Sequence, residues 1–128
     1  MSIEFVNPET LHNTGGRYAH AALVRGEARR LVISGQVGIA PDGTVAEGGE
    51  AQIAQALANL KAVLASQGMG VANIVKMTVF LTDRALIPAW RTAREAALEG
   101  RATASTLLIV SGLADPRFLV EVEAEAAD

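Results

Sequence analysis

The chain contains no cysteine, and that absence removes several chemistries together: disulfides, thiolate nucleophiles and Cys-ligated zinc or iron–sulfur centres. It leaves the redox compartment open. Aromatic residues make up only 4% of the sequence, so the core is built from short aliphatic side chains. A core that thin in a small domain gains from a subunit interface that buries more surface. Positive charge is also scarce: the formal net charge is −3 and no Lys/Arg-rich run is present. Nothing in that balance attracts a phosphate backbone, and nucleic acid is not the expected partner. No apolar stretch approaches the roughly 20 residues that span a bilayer, and Met1–Phe5 has no basic segment leading into an apolar run. The expectation is a cytoplasmic protein with no membrane association.

What is present points to one folded domain over residues 1–128. Half of the residues are apolar and 20% are charged, the reverse of a disordered composition, and the length suits a single core. Ile3–Val6 reads as a strand, followed by a polar loop over Asn7–Gly16. Tyr18–Arg25 and Leu31–Ser34 read as strands joined by a hairpin turn at Gly26-Glu27-Ala28, with Val37–Ile39 extending the second beyond Gly35. Pro41-Asp42-Gly43 is a turn, and Thr44–Glu50 reads as loop. Ile53, Ala56, Leu57, Leu60, Val63 and Leu64 recur at helical spacing, with Gln52, Gln55, Asn59 and Lys61 on the rest of the wheel and Gly68 as the stop. Ile74–Leu81 is a β-branched central strand. A second helix starts near Pro88, with Trp90, Ala93, Ala97 and Leu98 on its apolar side. Thr106–Val110 and Phe118–Glu125 complete the order, the latter turning Val120, Val122 and Ala124 inward and its glutamates outward. This is an α+β pattern: a mixed β-sheet with two main helices packed on one face.

No residue cluster in this pattern announces an active site. His12 and His20, the only histidines, have no metal-ligating neighbours at useful spacing and read as polar loop or strand residues. The Gly15-Gly16 and Gly48-Gly49 pairs form no phosphate-binding motif. Glu121, Glu123 and Glu125 would face water by default; a functional glutamate among them needs a cleft that raises its basicity. Arg91 and Glu95 stand four apart and are expected to pair on the helix surface, whereas Arg94 is followed at that distance by Leu98.

Several segments, in order, resemble the RidA (YjgF-like) family. Ile33-Ser34-Gly35-Gln36 is similar to its ISGQ strand motif, and Asn59–Leu64 with Gly68 to its first helix. Ile74–Leu81 and Leu119–Ala124 are similar to its central and terminal strands. The resemblance covers nearly the whole chain. It implies a chorismate-mutase-like sandwich assembled as a homotrimer with a small-molecule cleft between adjacent subunits. It further implies hydrolysis of reactive imines and enamines, such as 2-aminoacrylate, without a metal or organic cofactor. By the same resemblance Glu121 positions the attacking water, and Tyr18, Ser34 and Gly35 shape the cleft.

One position departs from the family. Its P-A-R-S/T segment, whose arginine grips the substrate carboxylate, falls on Thr103-Ala104-Ser105-Thr106, so Ser105 stands where that arginine should be. A hydroxyl supplies one neutral donor in place of a charge-assisted fork worth a few kcal/mol. The loss amounts to about 100-fold or more in carboxylate capture. Arg91 is the candidate substitute, on the wall given by the second helix, and Arg101 is a more exposed second choice. Two readings stay open: an imine or enamine hydrolase, with the usual 2-imino acid deamination put in question by Ser105, or a non-catalytic trimeric metabolite-binding module. Ribonuclease or translation-inhibitor activity fits the acidic balance least.

Overall fold

The structure, a computed structural model, describes residues 1–128. Its elements are β1 (Ser2–Val6), β2 (Ala21–Arg25), β3 (Arg30–Val37), α1 (Gly49–Ser66), β4 (Ile74–Leu81), α2 (Ile87–Ala97), β5 (Ala104–Ile109) and β6 (Val120–Ala127). Four strands form a mixed sheet in the order β3-β6-β4-β5, in which only β4 and β5 run parallel. The parallel pair is joined through α2, the crossover that parallel strands require. Neither helix is long and apolar enough to cross a membrane.

Alternation along the strands decides which face carries the helices. Val120, Val122, Ala124 and Ala126 of β6 are buried, as are Met77, Val79 and Leu81 of β4. They pack with Ile53, Leu57, Leu60 and Leu64 of α1 and with Trp90 of α2 in one continuous cluster. Both helices therefore lie on one face, as the sequence implied. At about 25 cal/mol per Å² of apolar surface, each large side chain in that cluster contributes about 1.5–3 kcal/mol. The opposite face has no layer over it: Val32 is 67% exposed and Leu108 44%.

Several local expectations need correction. Gly26-Glu27-Ala28 is not a hairpin turn. β2 pairs with β1 and β3 pairs with β6, so the turn is a corner between two sheets. A turn signal is local and does not say which edge its flanking strands will join. Just before β2, the chain joins the main sheet through a parallel bridge between Ala19 and Ala104, where the Ala19 N–H donates to the Thr103 carbonyl at 2.9 Å. β2 begins at Ala21, leaving Tyr18 on the preceding loop. β3 runs through Ser34 and Gly35, its pairing with β6 slipping between Ile33 and Gln36 as a bulge.

α1 also starts earlier than the apolar periodicity suggested, taking Gly49 and Glu50 from the expected loop. Gln52, which belongs to the polar set of the wheel, is 2% exposed. Its amide nitrogen donates to the carbonyls of Ala46 (3.0 Å) and Arg117 (2.8 Å), and its oxygen accepts from the Leu119 N–H at 2.8 Å. One buried amide thus ties the loops before α1 and before β6 to the helix. Such a group is tolerated in a core only when its hydrogen bonds are made.

Candidate functional site

α2 and the loop before β2 enclose a cavity of about 490 Å³ at the parallel edge of the sheet. Its lining includes Tyr18, Arg91 and Ser105, three of the residues singled out from the sequence. Trp90, 2% exposed, forms part of the wall that faces the core. Ser105 reaches the cavity because β5 runs parallel to β4 with Ser105 opposite Met77, on the helix side of the sheet. Thr103, two residues earlier, is buried and donates its hydroxyl to the Ile74 carbonyl at 3.0 Å. That bond anchors the start of the strand.

The loop contributes a polar cluster that the sequence did not reveal. His12 Nε2 lies 2.8 Å from the Tyr18 hydroxyl, and His20 Nε2 lies 2.9 Å from the His12 carbonyl oxygen. The His12 and His20 rings pack edge to face with centroids 4.8 Å apart. The His20 backbone N–H donates to the Asn7 side chain at 3.0 Å, closing the loop on itself. His12 is therefore part of the cavity wall and the immediate partner of Tyr18, not an isolated loop residue. They stand six positions apart on irregular chain, and no periodicity flags such a pair.

The charges in the cavity are of one sign. Arg17, Arg91 and Arg94 all line it, and no carboxylate does. The expected Arg91–Glu95 pair is not formed; the four ion pairs of the molecule involve Arg25, Arg29, Arg30 and Arg117. Arg91 is instead directed to the cavity, one helical turn from Arg94. The Arg94 guanidinium donates to the Arg17 carbonyl, fastening the loop to α2. Burial, and next the Arg91 charge, hold Arg94 below the usual arginine value; Glu95 opposes this and Arg17 adds to it. Arg101 is exposed and lies outside the cavity lining.

Ser34, Gly35 and Glu121 gather elsewhere. Glu121 opposes Phe80 and alternates with the fully buried Val120 and Val122, so it projects from the face away from the helices. Its carboxylate lies against the bulge: a β-carbon built on Gly35 would stand 1.9 Å from Glu121 Oε1. Gly35 is thus required for space rather than for an unusual backbone angle. Within one protomer the glutamate and the arginine-lined cavity are on opposite sides of the sheet.

The family model described as Endoribonuclease L-PSP matches residues 10–128. The chain belongs to this family, that of the RidA/YjgF-like proteins. A structure of the Rid-family protein YyfB from Yersinia pestis, described as of unknown function, superimposes with a TM-score of 0.90. It is 32% identical, and the match covers 100% of both chains. A RutC family protein of Aquifex aeolicus is 42% identical over 69 residues, 53% of each chain. The 2-iminobutanoate/2-iminopropanoate deaminase of Rattus norvegicus is 43% identical over 70 residues, 53% of this chain and 49% of that one. The chain therefore spans about half the length of the curated relatives it matches, and it carries the α+β fold of the Rid structures along its whole length.

Proposed function

We propose that the protein hydrolyses small anionic imines or enamines in a cleft completed between subunits, with Arg91 taking the part of the family arginine missing at Ser105. The observation that carries this reading is the cavity itself. Tyr18, Arg91 and Ser105 line one space, and every ionised side chain that can hold an anion there is a guanidinium. The likeness to deaminases of 2-iminobutanoate and 2-iminopropanoate supports the reaction class.

In the proposed reaction, the substrate carboxylate pairs with Arg91 in a two-bond fork. Glu121 takes a proton from water as the oxygen adds to the imine carbon, then returns it to the nitrogen. Glu121 then carries the carbinolamine hydroxyl proton to the nitrogen as the C–N bond breaks, so that ammonia leaves and the carbon–oxygen double bond of the keto acid forms. Because Glu121 and the cavity lie on opposite sides of one sheet, Glu121 of a neighbouring protomer supplies this step in a homotrimer. Exposed Val32 and Leu108 on the uncovered sheet face favour such an assembly.

The test generates 2-aminoacrylate in situ and follows pyruvate release with the wild type, Glu121→Gln and Arg91→Ala. Expected are a clear acceleration over buffer and losses of about 100-fold in kcat/KM for each variant. Wild-type rates equal to buffer end the hydrolase reading and leave the alternative of a non-catalytic binding module. Activity that survives Arg91→Ala removes Arg91 as the carboxylate clamp. Sedimentation as a monomer at micromolar concentration refutes the shared cleft.

A further inference from the structure

A single carboxylate needs one guanidinium fork, yet the cavity presents three: Arg17, Arg91 and Arg94. None of the three has an acidic partner within ion-pair distance. Of the six arginines outside the cavity, Arg25, Arg29, Arg30 and Arg117 pair with carboxylates, and the two that do not, Arg84 and Arg101, stand apart from each other in sequence rather than converging on one space. Arg94 is half-buried and tethered through one donor to the Arg17 carbonyl, which leaves the remaining donors of its fork for a ligand. The rest of the polar lining, His12, Asn13, Thr14, Tyr18, Ser105 and Thr106, supplies further hydrogen-bonding groups and no carboxylate. Like charges held together beside a buried tryptophan repel one another, and an anion between them relieves that repulsion. The net charge of the whole chain is −3, so the clustering is not the by-product of a basic surface.

We infer that the cavity takes a small ligand bearing two anionic groups, one on Arg91 and the second on Arg17 and Arg94. This rests on the carboxylate-binding role proposed for Arg91 and names the class of substrate that follows from it. The second group is a distal carboxylate or a phosphate ester; both match a guanidinium fork. Ser105 is consistent with this assignment, since an arginine there would put a fourth positive charge in the same space.

Calorimetric titration of the full chain at low salt distinguishes the possibilities. The probes are succinate, a dicarboxylate; butanoate, a monocarboxylate of the same length; and inorganic phosphate above pH 7.5. One or both dianions are expected to bind at least about 10-fold tighter than butanoate, the gap that about 1.4 kcal/mol produces. The preference should narrow in Arg17→Ala and in Arg94→Ala, and shrink as salt is raised. Tighter binding of succinate assigns a distal carboxylate, and tighter binding of phosphate a phosphate ester. Butanoate binding as tightly as both dianions overturns the inference while leaving the Arg91 clamp in place. No binding of any probe overturns both. Thermal melting of the two variants guards against loss of fold, and the wild-type comparison does not depend on them.

Discussion

Replacing Gly35 with alanine should separate the position of Glu121 from the stability of the fold. A β-carbon on Gly35 would lie 1.9 Å from Glu121 Oε1, 2.7 Å from Cδ and 2.9 Å from Cγ. Moving the carboxylate oxygen from 1.9 Å to the 3.4 Å of ordinary contact requires a retreat of about 1.5 Å. All three atoms belong to the outer part of a flexible side chain, so a rotamer change relieves the clash at a cost of about 1 kcal/mol. For a domain of this size that lowers Tm by about 4 °C. A 1 Å displacement of a reacting group costs about 100-fold in rate, and Gly35→Ala should lose at least that in kcat/KM for 2-aminoacrylate while remaining folded. The assay pairs pyruvate release with thermal melting, using Glu121→Gln as the reference for a lost carboxylate. Wild-type kcat/KM in Gly35→Ala beside an inactive Glu121→Gln would refute the reasoning. So would a fall in Tm well beyond 10 °C, which would place the strain in the backbone. The thermal arm holds whether or not turnover is seen.

Three further outcomes follow from named contacts. Gln52→Leu strands the Leu119 N–H and two carbonyls in a buried site; denaturant unfolding should show a loss of about 2–4 kcal/mol, and a loss under 1 kcal/mol would contradict the role given to this amide. His12→Phe removes the partner of the Tyr18 hydroxyl at 2.8 Å; it should weaken ligand binding by about 5-fold with Tm nearly unchanged, and unaltered affinity would show that the contact is incidental. Asp115 is held at about 2 by hydrogen bonds from the Arg117 side chain and backbone. Its folded value is depressed, so the stability it adds is present above the ordinary carboxylate range and is lost as pH falls from about 4 toward 2. Asp115→Asn should flatten that part of the acid-unfolding curve, the more visibly at low salt, and an unchanged curve would locate the acid sensitivity elsewhere.

What the residues determined unaided was the set of elements and the face each one buries. The 2.0 and 3.6 periodicities are local, and they placed β4, β6 and the apolar stripe of α1 correctly, because a side chain's face depends on its near neighbours in the chain. The order of family-like segments identified the RidA-type fold, and the serine at position 105 was legible as a departure. Periodicity could not say which strand joins which edge, and β2 and β3 accordingly part company at Gly26. It also missed Gln52, whose burial depends on carbonyls 6 and 65 residues away along the chain. The cavity was the least legible feature. Arg94 and Arg17 are 77 residues apart in sequence and meet only when α2 packs beside the loop before β2. The sequence alone showed that an arginine was missing; the tertiary structure decided that three others surround the place where it would have been.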